Sequence, residues 1–158
     1  MIRTLVRGAL AGAAATWLMD RATTLLYEVQ APEVTEQETA ARPNGKSSVT
    51  NMIDRFEAET GVVVPAERRP LVENLVHYAL GAVPGALYAV ARKVPGVRAL
   101  NGAAYGLALF AANDEFLNTR LGFAGPARAY PPETHFRGLA GHAVLGAATE
   151  TGIQLLGG

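Results

Sequence analysis

The sequence of 158 residues has no cysteine. That excludes disulfide bonding, thiolate ligation of zinc or iron–sulfur clusters, and a cysteine nucleophile. Charged residues make up only 18% of the chain and aromatic residues 7%, whereas an ordinary soluble domain is about 25% charged. Serine occurs only at Ser47 and Ser48, outside any strand-to-helix nucleophile turn, so hydrolase chemistry is unsupported. Neither sign of charge prevails: fourteen basic and fourteen acidic residues cancel. This argues against a nucleic-acid partner. A phosphate-binding loop, a dinucleotide glycine fingerprint and His-Glu-x-x-His are all missing. The length is that of one domain.

What the chain has instead is glycine, 17 residues of it, and long stretches without charge. Asn74 to Ala91 is uncharged for 18 residues, Ala99 to Asn113 for 15, and Gly8 to Met19 and Gly138 to Thr149 for 12 each. With a polar residue allowed at each margin, four segments approach the roughly 20 residues that cross a bilayer core. They lie near 3–27, 71–92, 98–118 and 137–156. Arg3 and Arg7 before Gly8–Met19 mimic a signal peptide. The helical pattern continues through Tyr27, however, and the segment reads as a retained first span. The competing reading is a water-soluble four-helix bundle. Glycine weighs against it, because ten of the glycines fall inside the four segments. Each costs about 0.8–1 kcal/mol in a water-exposed helix interior. In lipid the helix survives glycine, which then lets backbones approach closely.

The fold expected is therefore all-α: an integral membrane four-helix up-down bundle. A polar segment, 30–70, separates the first two spans. Its Pro32, Glu33, Glu36, Glu38 and Pro43-Asn44-Gly45 read as loop. Ser47 or Ser48 then caps a short amphipathic helix ended by Gly61, with Val49, Met52, Ile53 and Phe56 on one face. That helix lies either on the membrane surface or over the bundle mouth. A second loop, Leu121 to Phe136, holds Pro126, Pro131 and Pro132 and cannot be helical throughout. Pro84 should kink its helix. Trp17, in mid-span, reads as a packing residue, Tyr88 as the holder of a core hydrogen bond, and His135 as solvated.

Each span carries a stripe at spacing four, and residues four apart share a helix face. Gly8 and Gly12 lead to Asp20; Glu73 and His77 precede Gly81 and Gly85; Gly102 and Gly106 lead to Asp114; Gly138 and Gly146 bracket His142, with Glu150 beyond. These eight glycines are the expected packing surfaces. In an up-down bundle Asp20, Glu73, His77, Asp114, Glu115 and His142 fall at one end, and Glu150, with Asn101, nearer the other. Charge inside a bilayer is costly and faces the bundle interior. The cluster is either a site for protons, a cation or a metal, or a structural network with Arg21, Arg120 and Arg137 as counter-charges. Glu73 and His77 could share a ligand. A carboxylate-bridged dimetal bundle needs Glu-x-x-His twice, and here the spacing is Glu-x-x-x-His once.

Arg7-Gly-Ala-Leu-Ala-Gly12 through Met19-Asp20, Asn74-Leu-Val-His77-Tyr-Ala-Leu-Gly81, Gly85-Ala-Leu-Tyr88 and Gly141-His142-Ala-Val-Leu-Gly146 resemble the YagU-like family of small bacterial inner-membrane proteins. The resemblance covers most of the chain except 30–70. It implies a multi-pass protein of the bacterial inner membrane linked to survival in acid, and it supplies no catalytic residues. The preferred expectation is a non-enzymatic membrane protein without cofactor, whose polar cluster stabilises the fold or responds to protons, imidazole being suited to that role. The alternatives are a proton or cation transport or channel component, or an accessory subunit. The partners expected are the lipid bilayer and either a second copy or a larger membrane complex. Lysine and arginine near the span ends lean towards cytoplasmic termini, with the cluster facing outward.

Overall fold

Helix α1 runs from Ile2 to Glu28 without a break. In the computed structural model, which describes all 158 residues, it is the first of four long helical stretches, and there are no strands. The second, α4, spans Arg69–Ala91. The third is built in pieces: α5 (Ala103–Leu109), a π-helical stretch (Phe110–Leu117) and α6 (Asn118–Arg120). The fourth, α7, spans Pro132–Leu155. It begins five residues ahead of the expected segment 137–156 because Pro132 occupies its first turn, where a missing N–H costs nothing. Pro84 lies inside α4 without dividing it.

The chain between α1 and α4 departs from its loop reading. Pro32–Ala41 is a helix, α2. Pro32 starts it and Glu33 stands in its first turn, where a negative charge suits the helix dipole. No apolar stripe marks α2; it is pinned through Glu38, which explains why hydrophobic periodicity did not reveal it. Helix α3 spans Ser48–Thr60. The Ser47 hydroxyl caps it by accepting from the Thr50 N–H at 3.1 Å, and Gly61 closes it at φ 73°. Val49 and Met52 turn toward the bundle mouth and Ile53 is buried, while Phe56 is exposed. Arg69 at the start of α4 ties back to α3, bonding Glu57 at 2.9 Å and pairing with Asp54.

Packing follows the glycines. Helix α1 lies along both α4 and α7, and α7 lies along α5. A Cβ on Gly12 would strike the Gly81 carbonyl, and one on Gly85 would come within 2.6 Å of the Gly8 carbonyl. The second crossing repeats the device: a Cβ on Gly106 would strike the His142 carbonyl, and one on Gly102 would sit 2.6 Å from Glu150 Cβ. Gly8, Gly81 and Gly146 are blocked in the same way by backbone or side chain, and Gly138 by the Phe110 ring. These helices touch backbone to backbone.

The resulting interior is small and polar. Buried alanines and a few larger apolar residues, Tyr88, Leu145 and Ile153 among them, share it with Thr16, Glu38, His142, Thr149 and Glu150. The large apolar side chains point the other way: Val6, Leu10, Leu18 and Leu25 on α1, Leu75, Val83, Leu87 and Val90 on α4, and Leu139 and Val144 on α7 are exposed. Trp17 belongs with them. It is 49% exposed with the Arg21 guanidinium 5.4 Å from its ring centre, so the packing role expected of it is not what the structure shows. No helix is long and apolar enough to cross a membrane by its own hydropathy.

Candidate functional site: a histidine–carboxylate cavity

All four long stretches converge on a cavity of about 350 Å³ at one end of the bundle. Thr16, Met19 and Thr23 of α1, His77 of α4, and His142 of α7 line it, and α2, α3 and the loop before α7 cover it. The π-helical stretch contributes Asn113, Asp114 and Glu115. A π turn widens the helix locally and recurs at functional sites. Here two adjacent acids, Asp114 and Glu115, face the same cavity and meet different histidines of one helix, α7.

Each of the chain's three histidines faces a carboxylate. His77 Nε2 lies 2.9 Å from Asp20 Oδ1. His142 Nδ1 donates to the Gly138 carbonyl at 2.9 Å, which fixes its tautomer. Its Nε2 therefore faces Asp114 Oδ2, 3.8 Å away, and carries a proton only when the ring is cationic. Asp114 also accepts from Asn113 Nδ2 at 2.8 Å. His135 is the most constrained. Its Nε2 meets the Ala127 carbonyl at 3.0 Å and its Nδ1 meets Glu115 Oε1 at 2.6 Å. A carbonyl and an ionised carboxylate only accept. The ring is held between two oxygens, one against each nitrogen. His135 is thus a member of the site and not a solvated bystander; its place two turns before His142 on one face of α7 was the available signal.

Not every expected member joins. Glu73 turns away, accepting from Thr50 Oγ1 at 3.0 Å with Arg69 Nε 3.7 Å off. It shares no ligand position with His77. No three of the His, Asp and Glu side chains converge as a metal site would require. Of Arg21, Arg120 and Arg137, only Arg137 meets an acid, and that acid is Glu38, which the loop reading had passed over. Buried Glu38 receives Arg137 Nη2 at 2.7 Å, Arg42 at 2.5 Å and the Thr134 hydroxyl at 3.1 Å. Burial pushes its carboxyl up, but the hydrogen bonds from Arg137 and Arg42 outweigh burial and hold it below the ordinary value. The Arg42 pairing, at i,i+4, was readable as a helix-face pair.

At the opposite end Glu150 is fully buried. Its Oε1 accepts from Arg92 Nη2 at 2.5 Å, Arg98 Nε at 2.7 Å and Gln154 Nε2 at 2.7 Å. Its Oε2 accepts from Arg92 Nε at 2.7 Å and the Tyr88 hydroxyl at 2.8 Å. Tyr88 thus has its core hydrogen bond, though to Glu150. Asn101, expected at this end, reaches the Thr151 hydroxyl at 3.5 Å. The Tyr88 ring stacks on Tyr105 at 4.2 Å between centroids, and the buried Tyr105 hydroxyl has no partner. Compared with known families, curated proteins and solved structures, the chain finds no match.

Proposed function

We propose that this is a non-enzymatic, membrane-embedded helical bundle whose histidine–carboxylate cavity responds to proton concentration. The observation that carries the proposal is the placement of all three histidines against carboxylates around one cavity. Imidazole changes charge between about pH 5 and 8, so acidification alters the charge balance of four helices where they meet. The acid-survival link implied by the family resemblance is the setting in which such a response would serve.

The membrane placement is supported by the distribution of apolar surface. Outward faces carry leucine and valine while the interior holds glycine, threonine, histidine and glutamate. Average hydropathy counts the interior face together with the outer one and so understates what lipid would meet. Small residues at helix contacts and paired ionisable groups inside are how membrane bundles are held.

The test is a thermal-unfolding series in detergent between pH 5 and 8, for the wild type and for His77, His135 and His142 replaced together by Gln. The wild-type midpoint should move with pH, and the variant should lose most of that movement. An unchanged profile removes the proton-response reading. Membrane residence is tested separately, by flotation with lipid vesicles.

A further inference from the structure

We infer a binding site for one anionic phospholipid in the groove between α4 and α5, at the Glu150 end of the bundle. The site rests on the membrane placement proposed above but not on the histidine cavity. The groove measures about 480 Å³. Leu87 and Ala91 form its α4 wall, Ala104 and Ala108 its α5 wall, and Val97 closes one end. The stacked rings of Tyr88 and Tyr105 form its floor. It is lined by apolar side chains of two helices, a surface that suits an acyl chain.

Charge identifies the occupant. The turn that closes the groove runs from Arg92 to Arg98. Lys93, two residues past Ala91, is exposed and has no acidic partner. Arg98, next to Val97, is half exposed. Only its Nε is engaged, by Glu150, so its terminal nitrogens remain for another acceptor. The one acidic side chain beside these residues, Glu150, is buried and saturated. An apolar slot ending at basic side chains with no exposed acid matches an acyl chain joined to a phosphodiester of net negative charge. Lysine and arginine beside a membrane attract such headgroups, each worth roughly fivefold in affinity.

The experiment uses the purified full-length chain in detergent, delipidated and then offered dioleoyl phosphatidylglycerol or dioleoyl phosphatidylcholine, with bound lipid counted by native mass spectrometry. One phosphatidylglycerol per chain should be retained, at least about tenfold more tightly than phosphatidylcholine. Lys93→Gln should weaken retention about fivefold. Arg3→Gln removes the same charge away from the groove and should change retention less than twofold. Ala108→Leu fills an exposed part of the slot and should abolish retention while leaving the thermal midpoint without lipid in place. Equal retention of the two lipids, equal effects of Lys93→Gln and Arg3→Gln, or retention by Ala108→Leu would each overturn the site. Failure to float with vesicles would overturn the membrane placement as well; flotation without lipid selectivity would overturn only the site.

Discussion

At one end of the bundle a single carboxylate, Glu150, receives five hydrogen bonds and is shut off from solvent. At the other, all three histidines and their carboxylate partners are spread around a cavity of about 350 Å³, most of them a third exposed. The same residue chemistry serves two purposes. A carboxylate offers about four lone-pair directions, and Glu150 has all of them filled, so a proton could bind there only by displacing one of its donors. Around the cavity Asp114 and Glu115 each meet one histidine of α7, and Asp20 meets His77, whereas Glu38 is held by Arg137 and Arg42. The Glu150 end ties α7 to α4 and to the turn beyond it; the histidine end keeps its acids and imidazoles partly open to solvent.

The largest effect should come from breaking the saturated end. Glu150→Ala leaves Arg92 nearly buried without its partner, and breaking a buried pair costs about 3–5 kcal/mol. Denaturation in detergent at neutral pH measures this. A loss below about 1 kcal/mol would mean that the Glu150 end does not hold the bundle, and the contrast between the ends would fail.

A smaller effect belongs to the cover of the cavity. Glu38→Gln keeps the shape of the side chain and removes the charge that Arg137 and Arg42 bind. The loss should be about 1.5–3 kcal/mol at neutral pH, the range for hydrogen bonds to charged groups. Its pH dependence has a definite sign. A carboxyl held below its ordinary value stabilises the fold above that value and loses the contribution as pH falls through the lowered one. The wild type should therefore weaken on acidification below about pH 4, and the gap between it and Glu38→Gln should close there. Parallel melts from pH 7 to pH 3 follow it. A gap that stays constant would show that Arg137 and Arg42 do not act through the charge of Glu38, and α2 would then be no acid-sensitive cover.

How much of this was legible in the sequence depends on what kind of force fixes each part. The all-helical architecture was readable because uncharged stretches of helical length interrupted by polar loops leave little else. Helix α3 was readable to within one residue because its limits are local: one of two adjacent serines as cap and a left-handed glycine. Helix α2 was not, since its anchor is Arg137, 99 residues from Glu38, and nothing within Pro32–Ala41 repeats with helical period. Separations of 58 and 52 residues likewise hid the partners of Glu150, since Arg92 and Arg98 appear in sequence only as basic residues beside a turn. At the cavity, up-down topology brings Asp20, His77, Asp114, Glu115 and His142 to one end from spacing alone, but does not say which acid meets which histidine. The π-helical stretch escapes such reasoning because it shifts helical phase partway along a helix, bringing Glu115 to His135 where a regular α-helix fixes only one of two adjacent acids on a given face.

The smallest effect sharpens the comparison from inside the saturated end. Tyr88 and Tyr105 stack on each other, yet only the Tyr88 hydroxyl reaches Glu150, while the buried Tyr105 hydroxyl has no partner. A buried polar group without a hydrogen bond costs stability, and removing it without changing shape returns some of that cost. Tyr105→Phe should therefore leave stability unchanged or raise it by up to about 1 kcal/mol, whereas Tyr88→Phe should lower it by about 1.5–3 kcal/mol. Side-by-side melts of the two variants at pH 7 decide the matter. If Tyr105→Phe proved as damaging as Tyr88→Phe, the Tyr105 hydroxyl would be part of the polar network around Glu150. That network would then extend across the stacked rings to α5, and the fixed end of the bundle would involve three helices through side chains where the geometry now assigns it two and the turn between Arg92 and Arg98.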